Sequence, residues 1–155
     1  MFDKNTKRDP KFKWLCPYPA WLVPKKMMIL AYMSKFFDQL RYGKDWAFED
    51  VPNATKFYNG LSLTVSSKAR GLGLGSELIQ RTNVYAKKWN CSHVYIGASS
   101  KYSQAIFKKI GFDVLHEAQY SGFKGKDGTD LFKDMREHKV CQVVLLDLKN
   151  VSETF

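Results

Sequence analysis

Leu61-Ser-Leu-Thr-Val65-Ser-Ser-Lys-Ala-Arg70-Gly71-Leu-Gly73-Leu-Gly75-Ser-Glu-Leu-Ile79 is the stretch whose reading settles the fold. Leu61 to Val65 alternate apolar and hydroxyl side chains, the period-two pattern of a half-buried strand. Beyond the glycines, Leu78, Ile79, Thr82, Tyr85, Ala86 and Trp89 recur at helical spacing, predicting a helix from about Ser76 to Trp89 with these residues on one face. Strand, glycine turn and helix in this order bring backbone N–H groups together at a helix start. That arrangement favours a phosphate.

Two familiar phosphate loops fail on inspection. The dinucleotide fingerprint G-x-G-x-x-G needs glycine at Ser76 or at Leu78, depending on register. The P-loop needs a Gly-Lys-Ser/Thr that does not follow. What remains is R-x-x-G-x-G, met by Arg70, Gly73 and Gly75. Alone, so short a pattern also describes an ordinary tight turn.

Working outward, His93 to Ala98 reads as a buried strand, and Ser100 to Ile110 as a short helix that Gly111 closes in the left-handed conformation. Asp113 to Ala118 and Val140 to Leu148 are two further strands, the second with the continuous apolar run of a sheet interior. Gly122, Gly125 and Gly128 mark a flexible loop or wide hairpin between them. Upstream, Ile29, Leu30, Met33, Phe36, Phe37 and Leu40 predict an amphipathic helix between Lys25 and Gly43. Residues 1–24 carry Pro10, Pro17, Pro19 and Pro24, so they read as an irregular basic arm, with Trp14, Tyr18 and Trp21 as anchors. The organisation expected is an arm over 1–24 and one domain over 25–155. Its class is α/β (α+β), a mixed sheet flanked by helices.

The chain has 155 residues and a formal charge of +10, a size at which one hydrophobic core forms without staples. Its longest apolar run, Met27 to Met33, is far too short to cross a bilayer. No secretory pattern opens the chain. Cys16, Cys91 and Cys141 have no metal-ligand spacing and read as reduced thiols, so the expectation is a cytoplasmic protein without metal or membrane. Between Lys56 and Ile110 nine basic residues face one acid, Glu77, a balance of +8 that attracts a polyanion.

The stretch 61–79 resembles the acetyl-CoA motif of the GNAT superfamily of N-acetyltransferases, where a strand precedes an R/Q-x-x-G-x-G/A loop that holds the CoA pyrophosphate. Ser99-Ser-Lys-Tyr-Ser103-Gln-Ala-Ile-Phe-Lys-Lys-Ile-Gly-Phe112 is similar to the family's second cofactor helix, which ends in Gly-Phe. Both motifs stand in the family's order with a strand between them, and the pattern looks most similar to the invertebrate arylalkylamine, or dopamine N-acetyltransferase-like, branch. The resemblance covers residues from about 25 to 148. It implies acetyl transfer from acetyl-CoA to a primary amine. It assigns cofactor contacts to Leu63, Thr64, Val65, Arg70, Gly71, Leu72, Gly73, Leu74, Gly75 and Ser76, and catalytic or substrate-organising roles to Ser99 and Ser103.

The chemistry asks for an oxyanion donor and a proton for the leaving thiolate. Backbone N–H groups of Leu63 to Val65 suit the first, and Ser103 or Tyr102 the second; Tyr120 and His138 are further candidates. Serines at a helix start are also routine caps. The branch places a general-base glutamate ahead of the motif strand, and neither Glu49 nor Asp50 matches that motif. The chain therefore reads as the domain without its N-terminal part, with the 61–65 strand as an uncovered edge open to self-association. Two other functions stand beside the enzyme. One is a CoA binder with little or no turnover. The other is a basic nucleic-acid-binding domain, against which the aromatics at core-like periods (Tyr85, Trp89, Phe107) argue.

Overall fold

A computed structural model describes residues 2–3, 36, 48–49, 51–60, 62–124 and 128–152. Among these residues five strands form one mixed sheet: β1 (Phe2–Asp3), β2 (Lys56–Gly60), β3 (His93–Ala98), β4 (Asp113–Gln119) and β5 (Val140–Asp147), in spatial order β1-β2-β3-β5-β4. Only β2 and β3 run parallel; the other neighbours are antiparallel. Helix α1 (Leu74–Lys88) makes the β2–β3 crossover, and α2 (Lys101–Ile110) follows β3. The expected mixed sheet with flanking helices is the observed fold.

Five of the six β3 residues are buried because both of its faces are covered. Val94, Ile96 and Ala98 join Ile79, Ala86 and Phe107 from the helices, with Phe112, Val144 and Leu148. Tyr95 turns to the other face, into a core of Phe36, Phe57, Tyr120, Phe132, Cys141 and Val143. Phe36 is helical and 3% exposed; the rest of the helix expected over 25–43 lies outside the described residues, as do the prolines and Trp anchors of the arm.

Local chemistry sets the helix ends. Gly73, with φ 76°, stands before α1, Glu77 lies in its first turn, and Lys87 and Lys88 lie in its last, each charge complementing the helix dipole. Ser100 caps α2. Gly111, at φ 100°, closes α2: its N–H and that of Phe112 return to Lys108 and Phe107 carbonyls. This is the left-handed ending expected of that glycine.

Four expectations need correcting. The strand placed at Leu61–Val65 lies at Lys56–Gly60 instead. Residues 62–65 still expose Ser62 and Thr64 and half-bury Leu63 and Val65, so the alternation reports an extended chain. Pairing is another matter: the β2–β3 ladder stops at Gly60 opposite Ile96, and residues 62–65 run on outside it. Second, the arm is not wholly irregular, since Phe2 and Asp3 pair with Phe57 and Lys56. The β2 edge is thereby covered over two of its five residues. Third, α1 starts at Leu74 rather than Ser76. Fourth, its buried face carries Gly75, Ile79, Asn83, Val84 and Ala86, while Leu78, Tyr85 and Trp89 are about half-exposed. Tyr85 and Trp89 are not core residues, and only Phe107 of the three aromatics is.

Candidate active site

The glycine loop follows a single turn of 3-10 helix, Ser67–Ala69, and runs into α1. Gly71 and Gly73 hold φ of 80° and 76°, which side-chain-bearing residues rarely adopt. A Cβ built on either would meet nothing within 4 Å. These two glycines thus shape the turn and leave its outer side open. Gly75 has a different task. A Cβ there would stand 2.9 Å from Ile106 Cδ1, so it lets α1 and α2 approach.

Helical hydrogen bonding begins with Glu77 N–H donating to the Gly73 carbonyl at 3.1 Å, and no side chain caps Gly73. The N–H groups of Leu74, Gly75 and Ser76 lie ahead of that ladder, pointing out of the helix start. Arg70, Leu72 and Leu74 stand exposed around them. The one acid of this turn, Glu77, is engaged by Arg81 Nε at 2.7 Å, which reduces its opposition to an anion. Leu63 Cδ2 and Val65 Cγ2 approach the Gly75 Cβ position to 3.9 and 4.0 Å. The extended segment therefore passes beside the start of α1, outside the β2–β3 ladder. The cofactor candidates Leu63 to Val65 and Arg70 to Ser76 are thereby brought to one place.

Ser99 and Ser103 take different hydrogen-bond partners. Ser103 joins Ser100 in a capping box: Ser103 N–H donates to Ser100 Oγ at 3.1 Å, Ser100 N–H donates to Ser103 Oγ at 3.3 Å, and the two hydroxyls lie 3.0 Å apart. The Ser103 hydroxyl itself donates to the Ser100 carbonyl at 2.8 Å. Ser99 sits between β3 and α2, and its carbonyl accepts the Tyr120 hydroxyl at 2.7 Å. Burial pushes the Tyr120 phenol far above its usual range, so this candidate is a fixed donor to backbone and no acid.

Tyr102 is 59% exposed, and its phenol donates to Glu137 Oε1. That hydrogen bond raises the phenol above its ordinary range, keeping it protonated through neutral pH. The His138 ring stands edge-on to Tyr102 at 5.7 Å between centroids, and its Nδ1 accepts the Lys101 N–H at 3.3 Å. Glu137 escaped the sequence reading. It lies in a loop without a motif, and its partners are distant in the chain. Glu49 is helical and exposed; Asp50 lies outside the described residues. Among the described residues no His/Cys/Asp/Glu group could hold a metal, and no helix is long and apolar enough to cross a membrane.

The sequence profile of the acetyltransferase (GNAT) family matches residues 9–112, from within the N-terminal arm to the end of α2. The chain belongs to the GNAT family. Its fold is similar to that of arylalkylamine N-acetyltransferase 2 from Aedes aegypti, with a TM-score of 0.69 at 19% identity over 77% of this chain and 55% of that one. It is also similar to a polyamine N-acetyltransferase from Drosophila melanogaster, with a TM-score of 0.64 at 15% identity over 76% and 56% of the two chains. An agmatine N-acetyltransferase matches at 0.66 and 14%, over 76% and 55%. The chain spans about half the length of these three structures.

Proposed function

We propose that the chain binds acetyl-CoA at the glycine cradle and transfers its acetyl group to a primary amine, of the arylalkylamine or a related alkylamine class. The observation that carries this reading is the pair Gly71 and Gly73, left-handed and open on the side where a side chain would stand, before the N–H groups of α1. Family membership supports it, as does the likeness of fold to amine acetyltransferases. Acetyl-CoA, when bound, supplies the activated thioester and a pyrophosphate. Arg70 and the N–H groups of Gly71 to Ser76 are suited to the pyrophosphate, and those of Leu63 to Val65 to charge developing on the acetyl oxygen. Tyr102 holds a proton suited to a departing thiolate, with Ser103 beside it. Cys91 and Cys141 are buried and form no disulfide, which agrees with a reducing compartment, and we read the chain as cytosolic.

Calorimetric titration with acetyl-CoA tests the cradle. Wild type binds; Gly73→Val loses binding, and so does Gly73→Asn, in which asparagine tolerates positive φ but still projects into the open side. Arg70→Ala weakens binding by about 1.5–3 kcal/mol, the worth of a charge-assisted hydrogen bond. A folded Gly73→Asn variant with unchanged affinity overturns the cofactor assignment.

A second reading, a CoA binder of little turnover, draws support from the Ser103 hydroxyl, which the α2 cap already engages. Steady-state turnover on tyramine with intact acetyl-CoA binding separates the two.

A further inference from the structure

Beside the cradle, the connection between β4 and β5 meets the start of α2 in a cluster of complementary groups. Glu137 holds two partners, the Tyr102 phenol on Oε1 and the Lys101 ammonium on Oε2. The same ammonium lies 5.3 Å from the centre of the Tyr102 ring. A carboxylate beside an aromatic face is a means of holding an alkylammonium. Lys101 and Glu137 remain 49% and 44% exposed, so the place is accessible to an occupant from solution.

Its position ties it to the cradle. Ile106 meets Gly75, and Tyr102 precedes Ile106 by four residues, on the same face of α2 one turn earlier. The charge of Arg70 is felt at the Tyr102 phenol. The block from Lys56 to Ile110 carries +8 and repels a cationic acceptor. Glu137 comes from outside that block and supplies a negative group at its margin.

We propose that Glu137 and the Tyr102 ring form a subsite for the non-reacting ammonium of a diamine acceptor, with the Lys101 ammonium as its tethered occupant. This deepens the acetyl-transfer reading and rests on it. The reacting nitrogen of any acceptor must be neutral, so the cation held here is a second one. An incoming primary ammonium must displace a tethered one, whose high effective concentration weakens binding until Lys101 is removed. Hydrogen bonds from Lys101 and Tyr102 hold the Glu137 carboxyl below its usual range, and the Glu137 partner holds Lys101 above its own. Of the other charged groups near the subsite, Arg70 opposes a cation, so Glu137 is the charge that favours one.

Steady-state acetylation of putrescine and of tyramine, a monoamine control, tests the subsite. Glu137→Gln raises KM for putrescine at least about threefold and leaves the tyramine KM nearly unchanged, while any change in kcat through the Tyr102 phenol is shared by both amines. Lys101→Met removes the tethered competitor and lowers KM for putrescine alone. Both variants keep the wild-type acetyl-CoA affinity. Equal KM shifts for both amines, or no KM shift for putrescine, overturn the subsite. Backbone amide resonances of Lys101→Met, followed on titration with putrescine, read the subsite without turnover. Shifts at Tyr102, Glu137 and His138 support it even in a chain that proves inactive, and their absence overturns it whatever the activity.

Discussion

Gly71, Gly73 and Gly75 are indistinguishable as letters, and the structure divides their labour. The first two supply positive φ and open space; the third supplies contact with Ile106. That division could not be read from spacing, because Ile106 reaches Gly75 only through the packing of two helices. A double-mutant cycle tests it. Gly75→Ala gains up to about 1 kcal/mol of helix propensity, but crowds Ile106 Cδ1, and overpacking costs about 1–3 kcal/mol. Ile106→Val removes that very carbon. Urea denaturation is expected to show Gly75→Ala neutral to destabilising alone and more favourable in the Ile106→Val background, a coupling of at least about 0.5 kcal/mol. Strict additivity would show that the helices do not touch there. At the same scale, His93 is 9% exposed against Phe57, and burial pushes its imidazole below its usual range, with Asp147 opposing that shift. In the unfolded chain the ring takes a proton near pH ~6.5, above its folded value. Its neutral, folded form is therefore favoured above that pH and penalised as pH falls below it. Stability measured at pH 7.5 and 5.5 should drop on acidification, and His93→Gln should drop less.

Among the elements, those specified by their own residues were legible and those specified by a neighbour were not. α2 was legible at both ends, through serines before it and Gly111 after it, because capping is local chemistry. The buried face of α1 was misread. Leu78, Tyr85 and Trp89 fit a helical period as well as Ile79 and Ala86 do, and only the position of the sheet decides which stripe is covered. The strand before the glycine loop was displaced for the same reason, since alternation marks an extended chain and not where a partner strand ends. Ser103 was read for chemistry, and its hydroxyl is used in the cap. Ser100→Ala should cost about 0.5–2 kcal/mol as a lost N-cap, and Ser103→Ala about 0.5–1.5 kcal/mol as a lost hydrogen bond. Thermal melts measure both. If Ser103 also serves the leaving thiolate, Ser103→Ala lowers kcat at a temperature where both variants are folded, and Ser100→Ala does not. An equal loss in the two variants would assign Ser103 to the helix alone.

The whole sheet joins what is legible and what is not. Class, the glycine turn and the order of elements from β2 onward follow from patterns within short windows, whereas the spatial order β1-β2-β3-β5-β4 depends on pairings across the chain. β1 is the extreme case: two residues among basic neighbours give no strand pattern, yet Phe2 and Asp3 pair with Phe57 and Lys56. Without them, β2 would present a full outer edge, since its inner edge is taken by β3. With them, Tyr58, Asn59 and Gly60 remain beyond the reach of β1 on that side. An open edge offers N–H and C=O groups to another chain, while a formal charge of +10 keeps copies apart at low ionic strength. Salt screens that repulsion over distances beyond roughly 8–10 Å, so the edge should matter most when salt is raised. A variant lacking residues 1–3 is expected to sediment as monomer in dilute buffer and to self-associate as salt and concentration increase, with the full chain doing so less. If the two forms sediment identically across that range, β1 does not guard the edge, and self-association, where seen, belongs to another surface.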